Sequence, residues 1–129
     1  MNPLLIDSKL NSPAVNFNAE TGRLQIIGRS IPEHPVKFYQ PLEDWMTDYL
    51  ATNPSDITLH IFLDYLNTHS TECMLLLMKS LRKYKEENST VKVLVEWLFD
   101  EDDEDMESLG NDLESITKLP FEYKIVEED

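Results

Sequence analysis

Ile57, Leu59, Ile61 and Leu63 alternate with Thr58, His60, Phe62 and Asp64. That period of two is the signature of an extended chain with one apolar face. Met74, Leu77, Met78, Leu81 and Tyr84 then fall at the spacing of one helix face, and Val91–Phe99 is rich in β-branched and aromatic residues. Two strands joined by a helix constrain the fold more than any other feature, because they imply a largely parallel or mixed sheet with covering helices. Phe62, apolar on the alternate face, predicts cover on both sides of that sheet.

The flanking segments extend the pattern. Residues 14–18 and 23–28 alternate around Ala19-Glu20-Thr21-Gly22, where Gly22 supplies the positive φ of a tight turn, so a hairpin is expected. Ile31-Pro32-Glu33-His34-Pro35 reads as a loop that leads into a short extended piece at Val36–Tyr39. Pro41 suits a first helical turn, followed by Leu42, Trp45, Met46, Tyr49 and Leu50 on one face and stopped by Asn53-Pro54. The second helix is expected over about 72–85. A third, marked by Met106, Leu109, Leu113 and Ile116, starts within an acidic run and ends at Leu119-Pro120, and Phe121–Val126 closes the chain as a strand. The expectation is an α/β single domain over 1–129, a mixed β-sheet with about three helices in the order β-β-α-β-α-β-α-β. Residues 1–12 form an extended N-terminal segment and 127–129 a tail.

The 129 residues carry 25 acidic and 11 basic side chains, a net charge of −14, with a hydrophobic share of 41%. That share is ordinary for a folded domain and argues against global disorder. The charge repels a phosphate backbone, and no basic patch reverses it, so nucleic-acid and anionic-membrane binding are disfavoured. One cysteine, Cys73, makes no internal disulfide and no metal pair; it sits on an apolar helix, where a free thiol is a small core residue. No leader-like start and no run of roughly 20 apolar residues is present, so no membrane insertion is expected and the default location is the cytoplasm.

Asp100, Glu101, Asp102, Asp103, Glu104, Asp105 and Glu107 put seven carboxylates in eight positions, leaving −7 for the rest of the chain. Their spacing does not match a calcium loop and no glycine lies among them. A solvated helix N-terminus, where carboxylates favour the dipole, explains them without a metal. No catalytic set assembles either. The three glycines are scattered, His34 and His60 stand apart, and Trp45 and Trp97 read as core. No enzyme activity and no cofactor is expected.

Chemistry concentrates instead after the central strand, in Asp64-Tyr65-Leu66-Asn67-Thr68-His69-Ser70-Thr71-Glu72. Functional groups collect where strands of α/β sheets run into helix N-termini. Thr68, Ser70 and Thr71 are each plausible N-caps. Beside that plain reading stands a second, in which one of these hydroxyls accepts a phosphoryl group at the positive end of the helix. Asp64 and Glu72 would oppose it.

Five joined motifs resemble the SiaC family of bacterial regulatory phosphoproteins, which have a STAS-like fold. They are Phe17-Asn18-Ala19-Glu20-Thr21-Gly22; Gly28-Arg29-Ser30 with Pro32-Glu33; Phe38-Tyr39 with Pro41-Leu42 and Trp45; Tyr65-Leu66-Asn67-Thr68; and Asp100 through Met106. The resemblance spans about residues 14–126. It implies a switch in which Thr68 is phosphorylated by a partner kinase and released by a PP2C-type phosphatase. The bare form would bind and activate a diguanylate cyclase, or another output protein, and so raise cyclic di-GMP and favour biofilm growth. Asp64, Tyr65, Asn67, His69, Ser70 and Thr71 would then form the docking loop. Here His69-Ser70-Thr71-Glu72 follows the threonine, a departure from the serines and basic residue of the family pattern. A constitutive module whose acid run docks a basic partner is the alternative.

Overall fold

The computed structural model describes residues 1–127; Glu128 and Asp129, the end of the expected 127–129 tail, lie outside the described residues. Six strands form one sheet in sequence order: β1 (Leu4–Ile6), β2 (Ala14–Asn18), β3 (Arg23–Ser30), β4 (Asp56–Leu66), β5 (Lys92–Asp100) and β6 (Phe121–Val126). The first three strands pair antiparallel, and β3 through β6 pair parallel. Each parallel step crosses over through a helix: α1 (Pro35–Leu50), α2 (Thr68–Glu87) and α3 (Glu104–Thr117). The expected order is found, with β1 added at the N-terminal edge.

Parallel crossovers are right-handed almost without exception. Three of them stepping in one direction lay all three helices on one face of the sheet, and α1 packs against α2, which packs against α3. Cover on both sides is therefore incorrect. The residues at 57, 59, 61 and 63 are buried under the helices, together with Phe17, Leu24, Val95 and Trp97. Phe62 is only half-buried on the opposite, open face, in register with Ile27 and Leu98.

That open face is largely polar at its centre. Glu96 of β5 is buried, with Oε1 2.8 Å from His60 Nδ1 and Oε2 accepting from Lys124 Nζ at 2.9 Å. Arg23 Nη1 lies 3.3 Å from the same carboxylate. The hydrogen bond from His60, then that from Lys124, pull the Glu96 carboxyl down to about 2.

Two helix starts differ from the sequence reading. Val36–Tyr39 is helical, not extended, because Pro35 rather than Pro41 occupies the first turn of α1. Tyr39 carries the buried stripe of Leu42, Trp45, Met46 and Tyr49 one turn upstream, and Pro41 lies inside the helix. The second helix begins at Thr68, four residues before the expected start. Its N-cap is Asn67, not Thr68, Ser70 or Thr71. The hairpin turn is as expected, with Gly22 at φ 70°.

Candidate functional site at the strand to helix junctions

Because β3 to β6 run parallel, their carboxyl ends share one edge of the sheet. Ser30 is in register with Leu66, and Asp100 with Val126. The β3–α1 loop, the β4–α2 junction and the β5–α3 turn therefore lie side by side.

Asn67 organises the middle junction. Its backbone is extended, at φ −79° and ψ 170°, and its side-chain Oδ1 accepts from the amide of Ser70 at 2.9 Å. Its own amide donates to the Ser30 carbonyl at 3.2 Å, which ties the start of α2 to the end of β3. Its carbonyl accepts from both the amide and the hydroxyl of Thr71, each at 2.9 Å. A cap of this kind satisfies one of the amides that every helix start leaves open.

The three hydroxyls named from sequence now separate. Thr71 Oγ1 is engaged by Asn67. Ser70 is fully buried, and its Oγ has no hydrogen-bond partner among the described residues. Thr68, at the first helical position, is exposed. His69 is exposed beside it, and Tyr65 is 54% exposed just upstream. Of the three, Thr68 is the one exposed side chain, and Thr71 is half-buried.

Beneath the junction lies a polar seam that the sequence reading did not place in the site. Ser30 Oγ and the Tyr39 hydroxyl share a buried hydrogen bond of 2.7 Å. Burial pushes the Tyr39 phenol up to about 12, with the Ser30 bond acting against that shift. Cys73 is buried close by, and burial raises its thiol too, as suits a core side chain. Outside that seam, Arg29 of β3 is exposed, its Nη2 lying 3.6 Å from Asp64 Oδ2. The run Gly28-Arg29-Ser30 is the sequence signal that points to the β3 contributors; Tyr39 is reached only through the fold.

The next junction is built differently. Asp100 ends β5, and the amide of Asp103 donates to its carbonyl at 2.9 Å, closing the turn through Glu101 and Asp102. Asp103 caps α3, its Oδ1 accepting from Met106 N at 3.0 Å. Glu104, Asp105 and Glu107 occupy the first turn, where they oppose the positive end of the helix. The two junctions meet on the open face at a small depression lined by Ile27, Gly28, Phe62, Asp64 and Asp100. Among the described residues, no group of three or more His, Cys, Asp or Glu is placed to hold a metal ion. No helix among them is long and apolar enough to cross a membrane.

The fold and its junctions define a small mixed α/β domain with an exposed threonine at the start of its second helix. Residues 6–126 match the pattern of the SiaC family regulatory phosphoproteins, and the chain belongs to that family. It is 26% identical over 121 residues to an uncharacterised protein of Pseudomonas aeruginosa (strain UCBPP-PA14), covering 94% of each chain. The solved structure of SiaC of Pseudomonas aeruginosa superposes with a TM-score of 0.89 at 25% identity, covering 98% of this chain and 100% of that one. A second solved structure holds SiaC in complex with the diguanylate cyclase SiaD, of which it is the activator, from the same organism. It matches with a TM-score of 0.89 at 25% identity over 95% of this chain and 99% of that one.

Proposed function

We propose that this chain is a cytoplasmic, phosphorylation-switched adaptor without catalytic activity of its own, which binds and activates a diguanylate cyclase in its unphosphorylated form. Thr68 is the phosphoacceptor, served by a partner kinase and a PP2C-type phosphatase. The observation that carries this reading is the sorting of the three junction hydroxyls: one buried, one bonded to the backbone, and Thr68 alone exposed at the helix start. Family membership and the SiaC–SiaD complex support the partner class.

The mechanism is electrostatic. A phosphothreonine adds about −1.5 to −2 charge and three acceptor oxygens. It would enter an edge that already carries Asp64, Glu72 and the acid run from Asp100 to Asp105. A partner fitted to the bare junction would meet a bulky, strongly hydrated dianion, and a like-charge contact costs several kcal/mol when desolvated. Phosphorylation therefore turns docking off.

The test is intact mass and peptide mapping after incubation with the cognate kinase. One phosphate is expected on wild type, located at Thr68, and none on Thr68→Ala. Phosphate on another residue, or none on wild type, rejects the acceptor assignment.

A further inference from the structure

The eleven lysines and arginines are unevenly placed around a chain with 25 acids. Arg23 and Lys124 are held by Glu96 at the centre of the open face. Lys79, Arg82, Lys83 and Lys85 lie along the second half of α2, and Lys92 and Lys118 stand at the opposite end of the sheet from the junctions. Lys9 and Lys37 flank a depression shared with Ile6 and Ser12, on the side of β1. Among the described residues, Arg29 is the cation left beside the β4–α2 junction.

Its position follows from the register. Arg29 pairs with Tyr65 and Ser30 with Leu66, while the Ser30 carbonyl holds the amide of Asn67, the residue before Thr68. With strands about 4.8 Å apart and a rise of about 3.3 Å per residue, the Cα atoms of Arg29 and Thr68 are on the order of 10 Å apart. An arginine and a phosphothreonine, both long side chains, span that gap together.

The present partner of Arg29 is a weak one. Its single contact with Asp64 is 3.6 Å long, and the two side chains are 46% and 52% exposed. Exposed pairs of this kind contribute little to stability. A phosphate dianion offers a guanidinium two parallel hydrogen bonds and a larger charge than a carboxylate. Among the described residues, Asp64 is the one ion-pair partner of Arg29.

We propose that Arg29 is the phosphate-reading residue of the switch, resting on Asp64 in the bare protein and transferring its guanidinium to the phosphate on Thr68. The transfer releases the Asp64 carboxylate into the depression it shares with Ile27, Phe62 and Asp100. One modification thus changes charge at two places, the helix start and the open face. This inference rests on Thr68 being the acceptor and adds how the modification is read.

The test places phosphothreonine at position 68 by genetic-code expansion, so that no kinase is needed, and follows the phosphate by 31P NMR titration. The titratable groups on the elements that meet at this edge are Arg29 from β3, Glu33 and His34 from the β3–α1 loop, Asp64 from β4, His69 and Glu72 from α2, and Asp100 from β5. Its second ionisation is expected about half a unit lower in the otherwise wild-type chain than in Arg29→Gln. Lys37→Gln, the same charge change elsewhere on the same edge, is expected to match wild type. Equal titration in all three chains, or equal shifts in both variants, overturns the proposal. Lack of phosphate on Thr68 after kinase treatment is a separate failure, read by mass alone, and it overturns the acceptor assignment whatever the titration shows.

Discussion

The β4–α2 and β5–α3 junctions are neighbours on one edge of one sheet, yet they treat the helix dipole in opposite ways. The α3 start is saturated: a charged cap, Asp103, followed by three more carboxylates in the first turn. At the α2 start the cap is the neutral Asn67, the first turn carries no acid, and an exposed threonine occupies the first position. A helix end with its positive pole uncompensated has room for a negative group; one already lined with carboxylates does not. On the proposed reading, the contrast makes the α2 start the place where added charge changes most, and the carboxylates of the acid run favour the dipole of α3.

The two junctions also differ in how they are held. At α3, Gly110 lies so close to the Trp97 ring that an added Cβ would overlap it, and Trp97 Nε1 donates to the Met106 carbonyl at 2.9 Å. At α2, the Ser70 hydroxyl is buried without a partner. The first is held by ring packing, the second by the hydrogen bonds of Asn67 around one unpartnered hydroxyl. The largest effect is expected on the ring packing: Gly110→Ala should cost about 1–3 kcal/mol in chemical denaturation through overpacking. A cost below a few tenths would show that α3 yields to the added methyl and that its packing on Trp97 is not tight.

Acid should act on the sheet beneath both junctions. The Glu96 carboxyl is depressed in the folded state, to about 2 from an ordinary 4.5, so its stabilisation is present above the ordinary value and lost as pH falls through the depressed one. Thermal melts between about pH 4.5 and 2 should therefore lose on the order of 2 kcal/mol more in wild type than in Glu96→Gln. Parallel curves would remove the cluster from the account.

Cap removal comes next. Asn67→Ala should cost about 1–2 kcal/mol and Asp103→Ala about 1 kcal/mol, the difference arising because Asn67 ends a junction with no other charge to hold its amides. Hydrogen exchange should speed at residues 68–71 in the first variant only. Ser70→Ala runs the other way, removing a hydroxyl that was desolvated without return. A gain of up to about 1 kcal/mol in thermal stability is expected, and a loss would mean that the hydroxyl has a partner in solution.

Much of this was legible in the residues. The alternation at 57–64 and the apolar stripe from Met74 to Tyr84 place the central strand and α2, and Gly22 marks the hairpin. The exceptions have physical causes. At three residues, β1 is too short to show a period. The start of α2 lies earlier than the apolar spacing predicts, because Thr68, His69, Ser70 and Thr71 are modest helix formers and the capping side chain of Asn67 precedes all three hydroxyls. One-sided helix cover is not legible in the residues, because Phe62 has the pattern of a core residue, while in the fold Ile27 and Leu98 flank it on the open face. The Glu96 cluster draws on four strands, so no local spacing announces it. At the site itself, the motif around Thr68 is visible in the residues, but the burial and hydrogen bonds that sort its three hydroxyls come only from the fold.

The central claim is that charge added at Thr68 controls docking. The direct measurement is the affinity of the cognate diguanylate cyclase for the bare chain and for the same chain phosphorylated at Thr68, by calorimetry under one salt condition. The account predicts binding weakened between tenfold and about a thousandfold on phosphorylation, a cost of roughly 1.4–4 kcal/mol. Equal affinities, or tighter binding by the phosphorylated chain, would contradict it.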